Sequence, residues 1–308
     1  MNIHNTSHGS KLLALLDNKK LPMSDKSKVC AAIEFYEQWL HDLSSLKSED
    51  LLIDMVKKLN EYKNYIDIEL IFKSENDFLY RQNGQLKLSN SILEEFLPFL
   101  FDPRLIPGLK NFKNLRSGSI SSFSGLSFGP VYLPTSQKVS LKVKDQDFSV
   151  AQKHRIQICS VDENDKSTTN DLFSSDFYIS YFAAEIKTNL DKTMFQEASQ
   201  TAAELKTSIP SSKYILACEF LDMTPISTKL TAIDEVIILR KTKRISSYKR
   251  SDFSTYSGRQ SALNLYQDFI EQNPLSVDGF ERILIHLRQV FPEQNNESID
   301  AILNRGYF

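Results

Sequence analysis

Apolar positions between Ser24 and Phe101 recur mostly at helical spacing. In SDKSKVCAAIEFYEQWLHDLSSL, the residues Val29, Ile33, Tyr36, Trp39, Leu40 and Leu43 follow at three- and four-residue steps, with Ser24 or Ser27 as caps. SEDLLIDMVKKLNEYKNYIDIELIF repeats the pattern, and its acids Glu49 and Asp50 stand at the start, where the helix dipole favours them. DFLYRQNGQLKLSN then changes character, and its Asn83-Gly84 predicts a hairpin turn. NSILEEFLPFLF returns to helix until Pro103 and Pro107. Residues 116–136, rich in Ser, Gly and Pro, predict a loop. That loop divides the chain into a mostly helical region, 1–115, and a second region, 116–308.

Alternation takes over from Lys138. KVSLKVK sets Val139, Leu141 and Val143 against polar neighbours, as in a half-buried strand, and HRIQICSV does the same. The polar stretch DENDKSTTND separates them from FYISYFAAEIKT, an aromatic and β-branched run that reads as a buried strand. A helix is predicted over LDKTMFQEASQTAAELKTS, followed by strands at KYILACEFLD and DEVIILR. From Ser257 to Arg305 the pattern is helical, broken at Pro274 and Pro292. Strands around a helix, flanked by further helices, define an α/β core.

Composition narrows the function. The 308 residues are 41% hydrophobic and 25% charged, ordinary for a globular protein. A formal net charge of −2 rules out a general polyanion binder, so any affinity for nucleic acid must come from local basic clusters. Cys30, Cys159 and Cys218 are odd in number and widely spaced, which fits a reducing cytoplasm and no disulfide framework. No apolar run suits a signal peptide or a membrane span. His4, His8, His41, His154 and His286 form no zinc-hydrolase motif, and neither a G-x-S-x-G elbow nor a phosphate-binding G-x-x-x-x-G-K-[ST] loop occurs.

An acid two residues before a lysine occurs four times: Asp17/Lys19, Glu61/Lys63, Glu185/Lys187 and Glu204/Lys206. Glu61 and Glu204 lie in helical patterns, where such residues face apart, and Asp17 lies at a polar helix end. Only Glu185 and Lys187 fall in a strand pattern, where alternate residues share a face. On strand context alone the pair reads equally as a solvated edge stripe or as a site. Asp176, nine positions earlier, approaches Glu185 if the chain turns between them. Two carboxylates held close repel each other unless a cation joins them. Mg²⁺ suits such a pair together with a substrate phosphate oxygen.

Asp176, then Glu185-Ile186-Lys187 at a strand end, then a helix and a further strand, resemble the PD-(D/E)XK nuclease superfamily. The longer string EIKTNLDKTMFQEA resembles the BbvCI and Bpu-type group of type II restriction endonucleases, which cut asymmetric CC-TNA-GC-type sites. The resemblance is strongest over residues 170–220. It implies a restriction-endonuclease-like mixed sheet flanked by helices and a Mg²⁺-dependent cut in double-stranded DNA. The metal ligands it implies are Asp176 and Glu185, with Lys187 as the helper that orients water. Ser175 stands where the superfamily often has proline, which leaves Asp171 as a rival to Asp176. Glu197 and Gln196, early in the next helix, are placed to reach the metal or its waters.

The segment LRKTKRISSYKR concentrates Arg240, Lys241, Lys243, Arg244, Lys249 and Arg250 with Tyr248 and no acid. Most charge runs are solvated loops, but this one, in a chain of net charge −2, is expected to contact DNA, with Arg259 and Gln260 extending it. Lys153 and Arg155 either line the approach to the site or decorate the surface. Cutting both strands requires two sites, hence a homodimer or a heterodimer with a related nuclease subunit. A repair or recombination nuclease of the same superfamily and a non-catalytic DNA-binding protein are the alternatives.

Overall fold

The computed structural model describes residues 6–132, 134, 138–161, 169–293 and 303–306. Five helices come first: α1 (Ser7–Leu16), α2 (Met23–Ser45), α3 (Leu51–Asn64), α4 (Asp77–Leu86) and α5 (Leu88–Phe96). α2 buries Val29, Ala32, Tyr36, Trp39, Leu40 and Leu43 along one face, close to the stripe expected from spacing. α3 runs into a widened π-helical stretch, Tyr65–Phe72, which carries Asp67 on to the same side as Lys63.

Asn83-Gly84 is not a hairpin turn. α4 runs through it, and the Asn83 side chain accepts a hydrogen bond from the Ser89 backbone N–H. The reversal comes later, at Lys87, whose φ of 51° breaks α4 from α5. A dipeptide with turn propensity stays helical where the surrounding turns are anchored by burial, here Leu79.

Helices give way to strands at β1 (Leu115–Phe128), then β2 (Val139–Val161) and β3 (Thr169–Leu190). The expected loop over 116–136 is therefore mainly strand. Its serines find partners across the sheet in place of apolar contacts. Ser127 meets Ser140 at 2.7 Å, Ser119 donates to the Gln146 carbonyl at 3.1 Å, and buried Ser122 bonds Ser180. Gly118, at φ +133°, takes up the bulge between Gly118 and Ile120 that a side chain would strain. The two runs KVSLKVK and HRIQICSV are the ends of one 23-residue strand rather than two strands.

α6 (Lys192–Ser208) then crosses to β4 (Lys213–Leu221), and β5 (Glu235–Ile238) completes the sheet. The order is β1-β2-β3-β4-β5, antiparallel through β3 and parallel from β3 to β5. Short helices α7 (Ser247–Arg250) and α8 (Tyr256–Ser261) precede α9 (Leu263–Gln272) and α10 (Val277–Val290). Pro274 separates the last two, as expected.

β4 is buried at seven successive positions because both faces of the sheet are covered. Ile215 and Ala217 join a core with α1–α5 and α10, while Tyr214, Leu216 and Cys218 pack with α6 residues Phe195, Ala198, Ala202 and Leu205. No helix among the described residues is long and apolar enough to cross a membrane.

One position in β4 breaks the apolar pattern. Glu219 is 1% exposed and accepts from Lys63 at 3.1 Å and from Arg240 Nε at 2.7 Å. Lys63 also binds Asp67 at 2.6 Å. Burial alone would raise the Glu219 carboxyl, but Lys63 and Arg240 hold it below its ordinary value. Arg240, expected on a DNA-contacting surface, is thus a core residue: it is 2% exposed and donates to the Asn273 carbonyl at 2.7 Å. Arg259 is likewise buried, donating to the carbonyls of Phe72, Ser74, Asn76 and Phe253. A guanidinium counted as surface charge has here become the cross-link between loops and core.

Candidate active site

β3 continues as one strand where the sequence reading needed a turn. Asp176 and Glu185 lie in the same strand, nine residues and roughly 30 Å apart along it. Asp176 is exposed and is held by Lys153 at 2.6 Å and Arg155 at 2.6 Å from β2. Those hydrogen bonds, Arg155 first, keep its carboxyl far below the usual carboxylate range. It is a cross-strand ion pair remote from Glu185, so the expected Asp176–Glu185 metal pair does not form. Asp171, opposite Cys159, lies farther still from Glu185 along β3.

The carboxylate that does meet Glu185 is Asp147, on β2. The register Phe148↔Ala184 puts Asp147 one step further, across from Glu185. Its Oδ2 accepts the Ile186 backbone N–H at 2.8 Å. Burial raises the Asp147 carboxyl, and the charges of Glu94 and Glu185 raise it further, while the Ile186 N–H and Lys187 oppose them. Sequence reading missed Asp147 although a signal was present. If β2 and β3 form a hairpin around the polar stretch 162–171, reflecting Glu185 through its midpoint, between 166 and 167, lands on 148, one residue from Asp147.

Glu185 is 16% exposed and both of its oxygens are engaged. Oε1 is 2.8 Å from Lys187 Nζ, and Oε2 accepts from the Tyr214 hydroxyl at 2.5 Å. Tyr214 reaches it because β4 runs parallel with Ala183 opposite Tyr214. Burial and the Glu185 charge push the Tyr214 phenol well above its ordinary value, so it stays a donor. Burial would lower Lys187, but Glu185, Asp147 and Glu197 outweigh it and leave the ammonium above its ordinary value. Lys187 is therefore a cation and a hydrogen-bond donor at neutral pH.

Asp145, Asp147, Glu185 and Glu197 line a polar hollow of about 290 Å³ beside α6, closed by Lys144, Gln146, Gln200 and Thr201. Glu197 stands exposed on the first turns of α6, on the helix that Asp191 caps by accepting the Met194 N–H at 2.8 Å. Gln196 is exposed and is not among the residues lining the hollow. Asp147 and Glu185 offer hard oxygen donors of the kind Mg²⁺ takes alongside waters and substrate oxygens. Among the described residues no group of three or more His, Cys, Asp and Glu side chains is arranged as a metal cage.

The basic segment is divided by the fold. Arg240 is in the core; Lys241, at φ 51°, pairs with Asp278 at 2.5 Å. Lys243, Tyr248 and Lys249 are exposed, Tyr248 at 87%. Arg244 and Arg250 turn inward and are only part-exposed, beside the C-terminal ends of β3 and β4.

A mixed five-stranded sheet flanked by helices, with carboxylates and a lysine converging beside a crossover helix, defines a restriction-endonuclease-like α/β fold. The solved structure of the native BbvCI A2B2 tetramer at low resolution has that fold. It aligns with a TM-score of 0.61 and 16% identity, covering 94% of this chain and 98% of its own. The chain belongs to the Bpu10I restriction endonuclease family, which it matches over residues 85–308. No curated protein sequence matches it.

Proposed function

We propose that the protein is a type II restriction endonuclease that hydrolyses phosphodiester bonds at a specific sequence in double-stranded DNA, using a PD-(D/E)XK-type site. The observation that carries this reading is the meeting of Asp147, Glu185 and Lys187 at the edge of the crossover helix, in a chain of this family. Asp147 takes the metal-ligand role first expected of Asp176. Together with Glu185 it would hold Mg²⁺, which supplies an electrophile for the phosphoryl oxygen and lowers the cost of ionising water. Lys187 orients the attacking water and offsets the charge that grows on the phosphate oxygens. Tyr214 fixes the Glu185 carboxylate, and Glu197 holds water at the rim of the hollow. Attack in line with the departing 3′ oxygen leaves a 5′-phosphate.

Lys243, Tyr248 and Lys249 supply exposed contacts to the DNA backbone, with Arg244 and Arg250 nearer the site. A double-strand cut needs two such sites, in a second copy or a related subunit. The A2B2 composition of the BbvCI tetramer, with its two subunit types, favours the related subunit. The enzyme would act on DNA in the cytoplasm. Digestion of a sequenced plasmid with MgCl₂, followed by mapping of the ends, tests the reading. Discrete ends bearing 5′-phosphates are expected, or nicks at fixed positions if the partner is missing. Breaks scattered at random would instead favour a repair or recombination nuclease, and intact plasmid a binding protein.

A further inference from the structure

A second cavity, a cleft of about 430 Å³ that Lys187 lines, lies between α4, α5 and the C-terminal ends of β3 and β4. Its size falls in the range of small-ligand sites, and its place beyond the carboxyl ends of parallel strands is where α/β sheets bind ligands. Its lining combines groups of different chemistry. Arg244 and Arg250 line it, and their shared acid Asp222 is no nearer than 4.0 and 3.9 Å. Burial and the like charge of Arg250 pull Arg244 below its ordinary value, as expected of cations short of an anion.

Glu219 also borders the cleft, and while its Oε1 is bound by Lys63 and Arg240, its buried Oε2 has no hydrogen-bond partner. A buried carboxylate oxygen left without a donor is costly. Tyr266 also lines the cleft, its ring stacked on Phe72 with centroids 4.1 Å apart. An anion site, a flat aromatic wall and a waiting acceptor match a phosphate, a base and an amino group.

We propose that this cleft receives one nucleotide of the bound DNA, unstacked from the duplex next to the bond that is cut. Its phosphate lies at Arg244 and Arg250, and the amino edge of its base turns toward Glu219. A carboxylate accepts readily from the cytosine amino group, and adenine and guanine also carry an exocyclic amine, whereas thymine offers only its N3–H. Lys187 lines the cleft and its Nζ is 2.8 Å from Glu185 Oε1, which lines the hollow, so this ion pair joins the unstacked nucleotide to the hollow holding the scissile phosphate. The inference rests on the nuclease reading above and deepens it.

Gly84 offers a clean way to close the cleft. It lines the cavity, and a Cβ built on it meets nothing within 4 Å. The test uses a duplex spanning the cut mapped on plasmid, with 2-aminopurine and then an abasic residue moved along each strand. In the wild-type complex one position near the cut should brighten several-fold, and the abasic residue there should tighten binding roughly tenfold because no stacking is lost. Gly84→Phe should abolish both signals while keeping the wild-type melting temperature, and Arg244→Ala should weaken both.

Normal cutting with no position responding, or a response that Gly84→Phe leaves unchanged, would overturn the inference and leave the nuclease reading intact. Binding of free dCMP or dAMP that Gly84→Phe removes, without any response in the duplex, would also overturn it, since the cleft would then serve a free nucleotide. A chain that neither binds nor cuts any duplex removes both readings.

Discussion

Replacing Arg240 with Gln should destabilise the fold by about 3 kcal/mol, the lower end of what breaking a buried ion pair costs. Arg240 donates to Glu219 at 2.7 Å and to the Asn273 carbonyl at 2.7 Å, and its guanidinium lies 5.6 Å from the Phe220 ring centre. The loss stays at the lower end because Lys63, 3.1 Å away, still compensates Glu219. About 3 kcal/mol is a drop of roughly two decades in the folding equilibrium. Urea denaturation followed by circular dichroism reads it as a lower midpoint at unchanged slope. DNA affinity measured against salt supplies the contrast. Arg240→Gln should leave the slope of log K against log salt unchanged, whereas Lys243→Ala with Lys249→Ala should flatten it by roughly 0.9 for each phosphate no longer neutralised. A stable Arg240→Gln protein with a flattened slope would refute the placement of Arg240 in the core and return it to the DNA surface.

Other outcomes follow from the same geometry. Lys187→Ala and Glu185→Gln should each abolish cutting while DNA binding persists, checked by plasmid cleavage and gel shift. Tyr214→Phe removes only the hydroxyl that holds Glu185 and should lower activity or metal affinity by roughly 10- to 100-fold. Asp147 has a raised carboxyl, so the folded protein binds its proton more tightly than the unfolded chain, and stability falls as pH rises through that window. Asp147→Asn should therefore melt higher than wild type at neutral pH without Mg²⁺, with the difference closing toward pH 4; thermal melts across pH check this, and a constant difference would contradict it.

Much of the fold was readable because periodicity reports burial directly. The stripe from Val29 to Leu43 and the fully buried run of β4 declare themselves. β1 did not, since its serines satisfy the sheet through cross-strand hydroxyls instead of apolar contacts. Glu185 and Lys187 were legible because strand spacing alone places them on one face. Asp147 was not sought, because its tie to Glu185 depends on the register of a hairpin and not on local spacing. Asp176 looked suitable in one dimension, but a strand that never turns carries it away from Glu185. Arg240 and Arg259 were read as surface charge because composition does not reveal which guanidiniums are buried among carbonyls and a carboxylate.

The proposed site joins Asp147, not Asp176, to Glu185 and Lys187. Cleavage of plasmid by Asp147→Ala and by Asp176→Ala, at equal protein and Mg²⁺, tests it most directly. Asp147→Ala should bind DNA and fail to cut, while Asp176→Ala should cut at close to the wild-type rate. Full cutting by Asp147→Ala, with loss in Asp176→Ala, would contradict the account.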